Sequence, residues 1–350
     1  MKHLTKYRTY FTLFFAIQIA FLTAQTQSPD SVKNIEMSFT DKNDFREALL
    51  PVPKDAIFKM PGYYLWDPSV IKVKNTYHLF MSRWPMSDVF MKGWQKSQVI
   101  RASSKSLFGP YKFEEVVLDP STHPWATDAV HNPKIIKVGK KFLLYYLGIP
   151  AWQTGFAIAD KIKGPWRIID KPTINTNNPA MLVKPDGKLY AVGKFKSKQK
   201  PDGTRDAFMN AFTADSLLGP YNLIGGKTSR LPYDFELEDP TIWWAKNQYN
   251  VLCTDWDAKA TGIFKAMVFY TSKDGITYKL YSKIPVWTRN ESFPLAEGGT
   301  SKPYKIERPQ VYVNDKGAVE ALLVAIEPTS KTESYIVIRP VNKFVPSNKD

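Results

Sequence analysis

The chain has few of the residues that staple or metallate a fold. It contains one cysteine, Cys253, among 350 residues, so it cannot form an internal disulfide. Cys253 lies in the apolar run Tyr249–Cys253 and reads as a small buried hydrophobe. No histidine is near it in sequence, which argues against a nucleophile–base pair. There are four histidines, none beyond His131. No His, Cys, Asp or Glu spacing matches a metal centre, so no cofactor is expected. Helical periodicity of useful length is also missing beyond the first 24 residues, apart from a short candidate at Asp44–Leu50. No nucleic-acid motif is visible, so a nucleic-acid partner is not expected.

What is present begins with a leader. Lys2, Lys6 and Arg8 precede Phe11–Ala24, a stretch without charge that is too short for a comfortable membrane span. This reads as an export signal over 1–24 with cleavage after Ala24. No cysteine follows it, which excludes a lipoprotein anchor. The expected location is therefore periplasmic or secreted, with no membrane contact after cleavage. Residues 25–59 are read as a tether or flap, and 60–345 as one domain. The formal charge is +15. It falls to +12 without the first 24 residues, which hold three Lys or Arg and no acid. An exported basic protein suits anionic glycans, sulfated or uronate-bearing, as well as general surface basicity. The run Lys194–Lys200 reads as a solvated loop.

One pattern occurs five times: a polar or charged residue, Pro, one further residue, then a hydrophobic one. The copies are Asp67-Pro68-Ser69-Val70, Asn132-Pro133-Lys134-Ile135, Asn178-Pro179-Ala180-Met181, Asp239-Pro240-Thr241-Ile242 and Arg308-Pro309-Gln310-Val311. Their prolines are 65, 46, 61 and 69 residues apart. Downstream of four copies comes a turn: Gly109-Pro110-Tyr111, Gly164-Pro165-Trp166, Gly219-Pro220-Tyr221 and Asp274-Gly275. Hairpin signals such as Lys74-Asn75, Gly139-Lys140 and Pro185-Asp186-Gly187 separate β-branched and aromatic runs. Irregular strand-rich repeats of this size predict an all-β fold, a five-bladed β-propeller with about four strands per blade. Each proline is expected to open an innermost strand, which puts the residue before it beside the central axis.

The segments Tyr64-Leu65-Trp66-Asp67-Pro68-Ser69-Val70, Ser106–Tyr111, Ser216–Tyr221 and Glu307-Arg308-Pro309-Gln310-Val311 resemble the five-bladed propeller glycosidases. The Asp-Pro opening and Gly-Pro-Trp turns are similar to glycoside hydrolase family 43. Acidic residues in the first, fourth and fifth blades are similar to family 117, which acts on algal neoagaro-oligosaccharides. The resemblance spans roughly residues 60–340. It implies that Asp67 is the base of an inverting reaction or the nucleophile of a retaining one. Family 43 places its other carboxylates at the second and third openings, where this chain has Asn132 and Asn178. Its acids stand instead at Glu238-Asp239 and Glu307, and Glu307 is expected to take the acid role.

Independently of any family, glycosidic cleavage needs one protonated and one ionised carboxyl flanking the bond. Asp67, Asp239 and Glu307 sit at or beside equivalent openings and form the candidate catalytic set. Asn132, Asn178, Asp128, His131, Glu238 and Arg308 are candidate contacts to sugar hydroxyls, and Trp66 and Trp125 are candidate stacking platforms. The expected function is an exo-acting, inverting glycoside hydrolase on oligosaccharides of a complex algal or plant polysaccharide. Two rivals stand beside it: a phosphorylase-like transferase using Arg83 and Arg308, and a non-catalytic glycan-binding propeller.

Overall fold

The computed structural model describes residues 42–194, 209–224, 230–231 and 236–347. The leader at 1–24, residues 25–41 of the tether and residues 195–200 of the lysine-rich run lie outside them. Strands form five four-stranded antiparallel blades. The first runs outward through Tyr63–Val73, Thr76–Pro85, Gln98–Ser104 and Lys112–Leu118. The second comprises Ala129–Val138, Lys141–Ile149, Gln153–Ala159 and Arg167–Ile168. The third comprises Asn177–Val183, Leu189–Lys194, Met209–Ala214 and Asn222–Leu223, and Arg230–Leu231 also pairs its third strand. The fourth is Leu237–Ala245, Gln248–Asp255, Ala266–Ser272 and Lys279–Leu280. The innermost strands touch in succession, and the fifth returns to the first, so the ring is closed.

The fifth blade closes with a borrowed strand. Pro303–Val313, Val319–Pro328 and Tyr335–Phe344 receive their outer strand from Ile57–Phe58, at the other end of the sequence. Upstream, Asn43 caps the short helix Asp44–Glu47 by accepting from the amides of Phe45 and Arg46. Phe45 is fully buried and stacks on Phe344 at 4.5 Å, edge-on to Trp243 and Phe269. Burying such a ring contributes roughly 1.5–3 kcal/mol. The segment from 42 to 58 thus clasps the fourth and fifth blades together.

The Gly-Pro and Asp-Gly turns fall between the third and fourth strands of the first four blades, as their spacing predicts. The five prolines differ from expectation in one respect. They do not open the innermost strands but sit inside them, each at a β-bulge: the register shifts between Trp66 and Ser69, His131 and Lys134, Asn177 and Ala180, Glu238 and Thr241, and Glu307 and Gln310. A proline has no N–H to give to the ladder, and a bulge is where a strand tolerates that. Cys253 faces the fourth bulge, fully buried.

Candidate active site

The residue before each proline adopts a left-handed backbone: φ is 58° at Asp67, 48° at Asn132, 47° at Asn178, 54° at Asp239 and 60° at Arg308. Such conformations are sparsely populated for residues other than glycine and persist only where the surrounding fold imposes them. Five copies of the same strained bulge turn these side chains away from the ladder and gather four of them into one buried group.

Asp67 is the most heavily contacted. Its Oδ2 accepts from Ser82 Oγ at 2.6 Å and from the Asn132 amide at 3.1 Å, and lies 3.0 Å from His131 Nε2. Its Oδ1 faces Arg308 Nε at 3.1 Å. That contact is an ion pair without hydrogen-bond alignment, since neither atom has an aligned partner. Arg308 Nη1 donates to Asp239 Oδ1, which also accepts from Asn178 Nδ2 at 3.1 Å. One guanidinium therefore bridges the two buried carboxylates of the first and fourth blades. Lys134, just after the second proline, reaches across the axis and donates to the carbonyl of Pro240.

Two further ion pairs flank this group. Glu307 Oε1 accepts from Lys265 Nζ at 2.6 Å, and that ammonium lies 3.7 Å from the centre of the Trp256 ring. Glu236 and Glu238 share Lys194. Lys194 is thus an ion-paired member of the site and not a solvated loop residue. The group holds five carboxylates (Asp67, Glu236, Glu238, Asp239, Glu307) and four cations (Lys134, Lys194, Lys265, Arg308), so it has no surplus of positive charge.

Burial dominates the proton affinities. It raises Asp239 to about 7 with help from Glu238 and Glu307, against the opposing pull of Arg308 and Lys134. Burial lowers Lys134 to about 7, with Asp239 and Asp67 opposing and Arg308 reinforcing. It lowers His131 to about 4, with Asp67 opposing. At Glu238 burial pushes upward, but Lys194 and Arg308 outweigh it and hold the carboxyl below its ordinary range. Access differs as well. The side chains of Asp67 and Asp239 are 0% and 2% exposed, while Glu307 and Glu238 keep 9% and 15%.

Of the residues singled out from sequence, Asp67, His131, Asn132, Asn178, Glu238, Asp239, Glu307 and Arg308 come together. Trp66 is buried beside Phe90, ring centres 5.2 Å apart. Trp125 stacks on Tyr146 and donates its Nε1 to the Ile169 carbonyl. Asp128 is exposed and accepts from Thr127. Neither Trp125 nor Asp128 touches the axial group. Arg83 donates to Gln98 and stacks on Tyr63, also away from it. Sequence reasoning missed Lys134, Ser82, Lys265 and the half-buried Trp94. Trp94 lies 5.0 Å from the His131 ring and 5.7 Å from Trp152, edge-on. Lys134 carried a signal, because it occupies a repeat position; the others carried none.

No protein-family model and no curated protein sequence matches the chain. Solved structures do, at the level of the fold. One is a complex of BT0996 with RGII, with a TM-score of 0.66 and 11% identity, covering 87% of this chain and 96% of the other. A thermostable family-43 glycoside hydrolase gives 0.60 and 14%, covering 86% and 98%. Zg3597, a family 117 glycoside hydrolase of the marine bacterium Zobellia galactanivorans, gives 0.58 and 16%, covering 85% and 91%. The protein shares the propeller of glycoside hydrolases of families 43 and 117.

Proposed function

We propose that the protein is a glycoside hydrolase that works at the axial site. Asp67 serves as base toward the attacking water and Glu307 as acid toward the leaving oxygen. The observation that carries this is the convergence of Asp67, Glu238, Asp239 and Glu307 on one axial group through equivalent strained bulges. Hydrolysis of a glycoside needs carboxyls in different protonation states on either side of the bond. Asp67 is fixed by four polar contacts on its two oxygens. Asp239, at about 7, stores a proton within the cluster near neutrality. Three of the five carboxyls keep some exposure: Glu307 at 9%, Glu238 at 15% and Glu236 at 19%. Glu238 is held ionised by Lys194 and Arg308, which makes it the poorer acid. Glu236 is raised by burial, but it precedes the innermost strand Leu237–Ala245 and is not beside a bulge position. Glu307 therefore takes the role, with Lys265 placing it.

The substrate is taken to be an oligosaccharide from a complex plant or algal polysaccharide, cleaved exo-wise with inversion outside the cytoplasm. The fold shared with families 43 and 117 and with the RGII complex supports a glycan, and the leader supports export. A screen of neutral and anionic algal and plant oligosaccharides, read by mass spectrometry with and without phosphate, tests this. Release of a free sugar without phosphate dependence is expected. Phosphate-dependent turnover would instead favour the transferase.

A non-catalytic glycan-binding propeller is the second reading. It is favoured by the near-complete burial of Asp67 and Asp239 and by the Arg308 bridge that neutralises both. Binding across the panel with no cleavage anywhere would establish it.

A further inference from the structure

A separate open pocket of about 810 Å³ lies at one end of the first blade, closed on one side by Ile162 and Lys163 of the second. It is at the opposite end of the innermost strand from the axial group. The hairpin residue Lys74 on its wall is seven positions beyond Asp67, roughly 23 Å at about 3.3 Å per residue.

Its lining is predominantly basic: it holds four lysines, Lys74, Lys105, Lys112 and Lys163, and a single carboxylate, Glu114. Glu114 already accepts from Ser103 Oγ, and Lys105 donates to Thr76 Oγ1 at 3.0 Å. Among the described residues, Lys74 and Lys112 pair with no carboxylate. His78, buried in the wall, accepts at Nδ1 from Arg101 Nη1 at 3.0 Å and supplies no negative charge. Its pKa falls to about 4 through burial first, then through Arg101, with Glu114 opposing and Lys163 and Lys105 adding to the effect. Like charges this close repel one another and lower the cost of admitting an anion. Hydroxyl and amide groups of Asn75, Thr76 and Ser106 stand between the lysines, and no Phe, Tyr or Trp lines the pocket. The first feature suits sugar hydroxyls beside an anionic group. The second leaves no platform for nucleic-acid bases.

We propose that this pocket is a second glycan-binding site, for oligosaccharides that carry sulfate or carboxylate groups, separate from the axial site. The charges of the axial group nearly cancel, so the axial site lacks the excess of positive charge that this pocket has. The proposal concerns binding alone and does not depend on whether the axial site cleaves.

The test is calorimetric titration of the mature protein with dextran sulfate, oligogalacturonate and neutral dextran. The variants are K74S/K112S/K163S and, as a control with the same charge change on hairpins and strands of other walls, K137S/K140S/K316S. Binding of one or both anionic glycans, with neutral dextran inert, is expected. The pocket variant should bind at least about tenfold more weakly and the control within about twofold, since screening confines charge effects to about 10 Å or less. Matching melting temperatures establish that both variants fold. Equal losses in the two variants would overturn the proposal in favour of general basicity. So would the absence of anionic-glycan binding, or equally tight binding of single-stranded DNA. Tighter binding of the sulfated than of the uronate ligand, or the reverse, identifies the anion.

Discussion

His131 Nε2 stands 3.0 Å from Asp67 Oδ2, while Nδ1 of the same ring stands 2.9 Å from Ser97 Oγ. The ring is buried and joins the second blade to the axial carboxylate of the first. A neutral imidazole that donates from Nε2 and accepts at Nδ1 satisfies both contacts. Both ring nitrogens of His131 are thus engaged by protein groups, Asp67 on one side and Ser97 on the other.

That arrangement has a pH consequence. His78, His123 and His131 are each lowered to about 4 by burial. His123 Nδ1 accepts from the Ala126 amide, and His78 Nδ1 from Arg101, so each ring is held neutral. Between about 4 and 6.5 the unfolded state takes up more protons at these three positions, so stability falls as pH drops through that window. Asp239, raised to about 7, acts the other way, because the folded state keeps its proton above 3.8. Asp255 and Glu236, also raised by burial, oppose the histidines as Asp239 does, while Glu238, held below its ordinary range, sides with them. The histidine contribution is therefore read as a difference: the fall in urea midpoint from pH 6.5 to pH 4 should be smaller in His123→Gln than in wild type, and an equal fall would contradict the assignment.

Removing the guanidinium should unbalance the site. Arg308→Met leaves Asp67 and Asp239 buried with fewer partners. Breaking a buried ion pair costs about 3–5 kcal/mol. A large fall in melting temperature is expected, partly restored by adding Asp239→Asn. Loss of stability indistinguishable from that of an exposed Arg substitution would show that the bridge is not structural.

Closure of the ring can be tested from the other end of the sequence. A variant beginning at residue 60 lacks the outer strand of the fifth blade and the Phe45 anchor. It should be less stable by several kcal/mol, from the lost ring burial and strand pairing. Adding a peptide spanning residues 42–59 should recover part of the loss. An unchanged denaturation midpoint on truncation would contradict the clasp.

The acid is separable from the base by leaving group. Glu307→Gln should reduce cleavage of a natural linkage by about 10²–10⁴-fold, the range of general acid catalysis. Aryl glycosides with good leaving groups should lose far less, because their departing oxygen needs no proton. Equal losses on both substrates would move the acid role to Glu238.

The fold was legible because propeller blades repeat, and the pattern around Pro68, Pro133, Pro179, Pro240 and Pro309 marks every innermost strand. The same repeat pointed to Asp67, Asn132, Asn178, Asp239 and Arg308. It did not disclose that the prolines sit at bulges, since the strand stretches before them, such as Tyr63–Trp66, look no different from a loop ending. Lys194 and Lys265 were out of reach for a different reason. Each meets its carboxylate through a contact 42 or more residues away in sequence, with no repeated motif at either position. The aromatic assignments rest on chemistry shared by core and site: a tryptophan that stacks on a neighbouring ring, as Trp125 does on Tyr146, has the same sequence appearance as one that would stack on a sugar.

The central claim rests on Asp67, and a paired measurement on Asp67→Asn tests it most directly. Oligosaccharide binding is followed by calorimetry, and turnover of the same ligand by mass spectrometry. The amide keeps the side-chain shape but cannot take a proton or attack. Affinity within a few-fold of wild type, with turnover reduced at least about 10³-fold and the fold intact by circular dichroism, is the predicted result. Wild-type turnover in the variant would contradict an Asp67-centred hydrolase, and binding without cleavage by the wild-type protein itself would establish the glycan-binding propeller.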